Sequence, residues 1–176
     1  VTFIGQAIAL IAAETEEQLI EAEKKIIIEY QPLPAIIDLE TAIEKSNLIA
    51  KPRIIKRGKP DEIIATAPHV LSGTLKTNGQ EHWYLETQTA LAIPREDNDM
   101  LVYASSQNPS ETQAIVSEVL GVPKNDVEVE VKRMGGAFGG KETQANHVAA
   151  WAALLAQKTK RPVKIHLFRD DDQLMT

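Results

Sequence analysis

The stretch Met134-Gly135-Gly136-Ala137-Phe138-Gly139-Gly140-Lys141-Glu142 lies between two segments of opposite pattern. Before it, Val127-Glu128-Val129-Glu130-Val131 alternates strictly, which predicts a strand with one buried and one wet face. After it, the alanine-rich run Thr143 to Lys158 predicts the best helix in the chain. A strand, glycine loop and helix in succession are therefore expected. Glycine tolerates backbone angles that a Cβ forbids, so such a loop can turn successive N–H groups outward. A row of outward N–H groups ahead of a helix start is a nest for an anion.

Working outward, Met100 to Ser106, Glu81 to Ile93 and Val163 to Phe168 have the composition of strands. Asn108-Pro109 reads as a break, and Ser110-Glu111-Thr112-Gln113 has capping-box spacing before Ile115, Val116, Val119 and Leu120. His69 to Thr77 reads as a further strand, followed by the hairpin signal Asn78-Gly79. Nearer the start, the apolar run Phe3 to Ala13 suits a buried strand, with a helix not excluded by its pattern, and the segment Ile26 to Tyr30 favours a strand. Between these two, Thr15-Glu16-Glu17-Gln18 predicts a helix start, and Asp38 is placed to cap a short helix carrying Leu39, Ala42 and Ile43. The pattern is α+β.

Charge is distributed unevenly. Residues 1–50 carry nine acids and three bases, whereas Lys51-Pro52-Arg53-Ile54-Ile55-Lys56-Arg57-Gly58-Lys59-Pro60 has five bases and no acid. Its prolines and glycine disfavour a helix, so 51–60 is expected to be an exposed basic linker. The net charge of −6 argues against nonspecific nucleic-acid binding. No apolar run approaches the roughly 20 residues of a membrane span, so neither nucleic acid nor membrane is an expected partner and a cytoplasmic location is expected. The chain has no cysteine, which removes disulfides, thiolate catalysis and iron–sulfur ligation within it. Its four histidines are scattered without metal-ligand spacing. The opening without methionine and the ending at Thr176 suggest a piece of a longer protein.

The glycine loop has two near neighbours in pattern. Gly135 to Lys141 satisfies the spacing of a phosphate-binding P-loop, but Glu142 stands where a serine or threonine would hold magnesium. The dinucleotide fingerprint fails because Ala137 occupies its second glycine position. A glycine turn serving only close packing stays open on the loop alone.

The loop with its preceding Arg133 closely resembles the glycine–phenylalanine loop of the molybdenum hydroxylases, the xanthine dehydrogenase and aldehyde oxidase family. His82-Trp83-Tyr84-Leu85-Glu86-Thr87-Gln88, Ser105-Ser106-Gln107-Asn108, Lys160-Arg161-Pro162-Val163-Lys164 and Arg169-Asp170-Asp171-Asp172 also resemble segments of that family, in family order. Gly5-Gln6 and Ala12-Ala13-Glu14-Thr15 match near the start. The resemblance implies the C-terminal part of an α/β hammerhead domain over 1–50, then the linker 51–60. The N-terminal part of a molybdopterin-binding domain, with mixed sheets and packed helices, would follow over 61–176.

The resemblance also implies roles. Gln107 matches the glutamine whose amide faces an oxygen ligand of molybdenum, a task that suits a neutral donor. Phe138 and Gly139 match positions whose backbone lies against the metal centre and the pterin, so Gln107 and Phe138 are expected near molybdenum with no direct protein ligand to the metal. Glu142 matches the purine-contacting glutamate of xanthine dehydrogenases, and Ala137 looks more like aldehyde oxidases. The implied activity is hydroxylation of a purine carbon in hypoxanthine or xanthine, with molybdenum–molybdopterin supplying Lewis-acid chemistry. Aldehyde oxidase, another heterocycle hydroxylase, and a non-catalytic binding scaffold are the alternatives. Iron–sulfur clusters and FAD are expected in other domains or subunits, which with the rest of the molybdenum subunit would be this chain's partners. No residue here matches the family's catalytic base, so the chain alone is expected to be inactive.

Overall fold

A computed structural model describes residues 1–176. The chain forms two compact units, one of Val1–Ile26 with Gly79–Thr176 and one of Ile27–Asn78.

The first unit contains helix α1 (Glu16–Glu23) and, from residue 89, a four-stranded sheet with its helices. Thr15 caps α1 as its spacing predicts, its side chain accepting from the Gln18 N–H at 3.3 Å. Strands β1 (Thr89–Pro94) and β2 (Met100–Ala104) pair antiparallel. A crossover through α4 (Pro109–Leu120) leads to β3 (Val127–Glu130), which lies parallel to β2. The glycine loop and α5 (Gln144–Thr159) then deliver β4 (Val163–His166) to the other edge of β1, antiparallel, giving the order β3-β2-β1-β4. Helix α6 (Arg169–Met175) follows.

Register explains the core. One row across the sheet is Val129, Val102, Ala92 and Val163, and Val102 and Ala92 are fully buried. Ala149, Ala152, Ala153 and Ala156 of α5 are buried with them, at the i, i+3, i+4, i+7 spacing of one helix face. Small residues on both sides, Ala90 and Ala92 on the strand and the alanines on the helix, let α5 approach closely. Val116 and Leu120 of α4 complete the cluster.

Helix α4 starts earlier than its expected capping box. Asn108 is the N-cap, its side chain accepting from the Glu111 N–H at 3.2 Å, and Pro109 opens the helix. Proline's fixed φ suits the first helical position, where its missing N–H costs nothing; Asn108-Pro109 is a start signal rather than a break. At the other end Gly121, in the left-handed region, closes the helix.

Three predicted strands do not form. Phe3 to Ala13, Ile26 to Tyr30 and His69 to Thr77 belong to no ladder, and Asn78-Gly79 makes no hairpin. Their β-propensity is local, whereas a strand requires a partner in register. Glu81 to Ile93 shrinks for the same reason to a strand beginning at Thr89.

The second unit contains α2 (Leu39–Glu44) and α3 (Pro60–Thr66). Asp38 caps α2 as predicted, accepting from the Thr41 N–H at 2.7 Å. The basic stretch stays non-helical until Pro60 opens α3. Neither helix buries a residue, and Ile49, Ile55 and Leu71 are exposed. No helix of either unit is long and apolar enough to cross a membrane.

Candidate functional site

The glycine loop leaves the end of β3 and enters α5, and it is held from two sides. On one side Gln107, just past β2, donates its backbone N–H to the Lys141 carbonyl at 2.9 Å. Its side-chain Oε1 accepts from the N–H groups of Gly139 (3.1 Å) and Lys141 (3.2 Å). Two N–H donors on one atom identify that atom as the carbonyl oxygen. The Nε2 amide of Gln107 makes no hydrogen bond within the chain, and the residue is exposed. Gln107 therefore clamps the loop with its acceptor and keeps a neutral donor free.

On the other side stands Glu86. Its backbone N–H donates to the Gly135 carbonyl at 3.1 Å. Its Oε2 accepts from the Gly135 N–H (3.1 Å), the Lys141 ammonium (2.9 Å) and the Ser105 hydroxyl (2.7 Å). One carboxylate oxygen thus ties together the first and last residues of the loop. Lys141 is fully buried, donates also to Ser105 Oγ at 2.8 Å, and lies 4.7 Å from the centroid of the Tyr84 ring. Burial pushes the Glu86 carboxyl up, but hydrogen bonds from Lys141, Ser105 and the Gly135 N–H outweigh it and hold the group below its ordinary value of 4.5.

Lys141 is thus turned inward to a carboxylate. In a P-loop the equivalent ammonium reaches out to phosphates, so this geometry removes the nucleotide-site alternative.

Behind the loop lies a buried polar layer. Tyr84 and Gln88 are fully buried; Gln88 Nε2 donates to Tyr84 Oη (3.1 Å) and to the Gly140 carbonyl (3.0 Å). Asp172 of α6 accepts from the Gln88 N–H (3.2 Å) and Tyr84 Oη (3.3 Å) and pairs with Arg169 at 3.3 Å. Burial raises the Tyr84 phenol above its ordinary 10.0, so it stays a neutral donor. This packing explains Gly140: a Cβ there would lie 2.5 Å from Tyr84 Cε1 and 3.0 Å from the His82 ring. The methyl of Ala137 is itself buried.

Phe138 sits at the tip with φ 54°, in the left-handed region, and its side chain is 76% exposed. A bulky residue there costs on the order of 1–3 kcal/mol and persists only where its surroundings impose it. Gln107 and Glu86 are those surroundings. Glu142 follows at the rim, exposed, with its Oε1 3.5 Å from Asn108 Nδ2. Phe138, Gly139 and Glu142 thus lie along one loop, and Gln107, from the segment after β2, meets it at Gly139 and Lys141. No group of three or more His, Asp or Glu side chains converges as a metal cage.

The free amide of Gln107 is a neutral donor suited to an oxygen acceptor. The site presents a free neutral amide and an exposed aromatic, while the one loop cation is neutralised internally; the expected row of outward N–H groups does not form, because those of Gly135, Gly139 and Lys141 are taken by Glu86 and Gln107, and those of Gly140 and Glu142 by loop carbonyls. Sequence reading assigned no role to Glu86, Ser105, Tyr84, Gln88 or Lys141. Four of them lie in the very segments that carry the resemblance and the fifth in the loop itself, but spacing alone does not tell which side chains turn inward.

A family model described as the molybdopterin cofactor-binding domain matches residues 42–176. The chain belongs to that family. Among its relatives are a xanthine dehydrogenase of Emericella nidulans, 44% identical over 98% of this chain, and a xanthine dehydrogenase/oxidase of Rattus norvegicus, 42% identical over 100% of this chain. A nicotinate hydroxylase of Emericella nidulans is 42% identical over 97% of the chain. In each case the chain spans 13% of the relative's length. Among solved structures, quinoline 2-oxidoreductase from Pseudomonas putida 86 superposes with a TM-score of 0.78 at 23% identity, covering 97% of this chain and 23% of the other. A Cu,Mo-CO dehydrogenase gives 0.73 at 19% identity, covering 91% and 23%. These structural likenesses support the α+β fold.

Proposed function

We propose that this chain is the part of a xanthine dehydrogenase-type molybdenum hydroxylase that holds the edge of a molybdenum–molybdopterin cofactor and one side of a purine substrate. The observation that carries the reading is the state of Gln107, whose carbonyl is consumed by the loop while its amide N–H groups are left free and exposed. When bound, the cofactor supplies Lewis-acid activation and accepts the electrons of the substrate C–H bond. Gln107 donates a neutral hydrogen bond to an oxygen on it. Phe138 and Gly139 present backbone and ring to its face, and Glu142 at the rim accepts from or donates to purine ring nitrogens and oxygens according to its protonation state.

Within this reading, 1–50 is the C-terminal part of a hammerhead domain, 51–60 a basic linker and 61–176 the start of the cofactor-binding domain. The charge step at 51–60 is what favours that division; the compact unit Ile27–Asn78 and the family match from residue 42 both run across it. The remainder of the molybdenum subunit, with iron–sulfur and FAD domains or subunits, are the partners, and the cytoplasm is the compartment. A second reading, hydroxylation of another nitrogen heterocycle, is favoured by the nicotinate hydroxylase relative.

The test is Gln107→Ala in the complete enzyme. Removing one positioned oxyanion-type donor typically costs about 10²–10³-fold in turnover. Turnover should fall by that order with molybdenum content retained. Unchanged kinetics in metal-replete enzyme would remove Gln107 from the site.

A further inference from the structure

The Lys141–Glu86 pair belongs to no step of the reading above. A fully buried ammonium is costly unless it is paired and hydrogen-bonded; here the Lys141 side chain is fully buried and that of its partner Glu86 one-third exposed. The pair's geometry is more specific than core filling requires. Oε2 of Glu86 receives the Gly135 N–H at one end of the loop and the Lys141 ammonium at the other, at 3.1 and 2.9 Å. The intervening residues carry the strained Phe138 and the Gly139 N–H that Gln107 grips. Ser105, two residues before Gln107, bonds to both members of the pair, at 2.7 Å to Glu86 and 2.8 Å to Lys141. The pair therefore touches both halves of the site, the loop and the strand end that presents Gln107.

We infer that Glu86 and Lys141 are positioning residues: their ion pair closes the 135–141 loop on a single carboxylate oxygen and sets the height of Phe138 and Gly139 against Gln107, so that cofactor retention depends on it. The inference rests on the proposed function. Neither side chain touches the cofactor in this account; both act through the backbone of the loop. The strain at Phe138 is what requires the latch, because a left-handed aromatic relaxes once the loop ends are free to separate.

The test uses the complete enzyme carrying Glu86→Gln together with Lys141→Met, a double change that leaves no unpaired buried charge. Two readouts are needed besides activity: hydrogen exchange of peptides spanning 134–143, and molybdenum content per protomer. Loop exchange should accelerate by roughly tenfold or more while α4 and α5 keep their protection, and molybdenum content should fall several-fold. Wild-type loop exchange overturns the inference, as does faster exchange with undiminished molybdenum. Loss of protection throughout α4 and α5 also overturns it, by making the pair a general structural bridge. If Gln107→Ala is itself without effect, the proposed function has failed; if Gln107→Ala lowers turnover while the double variant behaves as wild type, only this inference has.

Discussion

Gly140→Ala should be among the most damaging single-methyl additions to this chain. The new Cβ would lie 2.5 Å from Tyr84 Cε1 and 3.0 Å from His82 Cγ and Nδ1. Tyr84 cannot simply swing away: it is fully buried, and its hydroxyl is tied to Asp172 and Gln88. Overpacking a closed site costs about 1–3 kcal/mol, and each hydrogen bond broken by displacing the ring adds about 0.5–1.5 kcal/mol. Together these place the loss at roughly 3 kcal/mol. For a chain of this size that corresponds to a fall of about 6–12 °C in the thermal midpoint. Far-UV circular dichroism through a temperature ramp measures it. Gly79→Ala is the matched control, since its Cβ would meet nothing within 4 Å and such surface changes stay within about 0.5 kcal/mol. If the two variants melt together, the close approach of the loop to Tyr84 is not a constraint on this fold.

Two further outcomes test the site's rim and its interior. Glu142→Val in the complete enzyme should depress xanthine turnover by about 10²-fold or more while sparing small aldehydes, because a site built to hydrogen-bond its substrate rejects analogues without those groups; catalytic efficiencies on both substrates decide it, and parallel losses would reduce Glu142 to a helix-start residue. Glu86 gives a pH signature: its folded-state pKa lies below the unfolded value, so its contribution is present above the unfolded value and lost as pH falls through the folded one. The thermal midpoint should therefore drop as pH falls through and below the ordinary carboxylate range, and drop less in Glu86→Gln; identical profiles would refute the assignment.

The sequence alone determined the elements whose signals are periodic and local. Val127 to Val131 alternates and forms β3, Thr143 to Lys158 predicts α5 to within one residue at each end, and Thr15 and Asp38 cap the helices they precede. Caps and amphipathic faces involve residues three or four apart, so short-range pattern suffices to read them. That Gln107 meets the glycine loop was not legible in this way: its contact with Gly139 and Lys141 joins residues more than thirty apart.

Only the tertiary structure decided what required a distant partner. The apolar runs at Phe3, Ile26 and His69 have strand composition but no ladder, because pairing is a property of two segments and neither alone encodes it. The direction of Lys141 is the sharpest case. Its neighbours spell a phosphate loop, yet its ammonium turns to a carboxylate 55 residues away. No spacing rule within the loop contains that choice. The physical reason is burial: the Lys141 side chain is fully buried, so its charge needs a partner within reach, and the partly exposed Glu86 is where the fold supplies one.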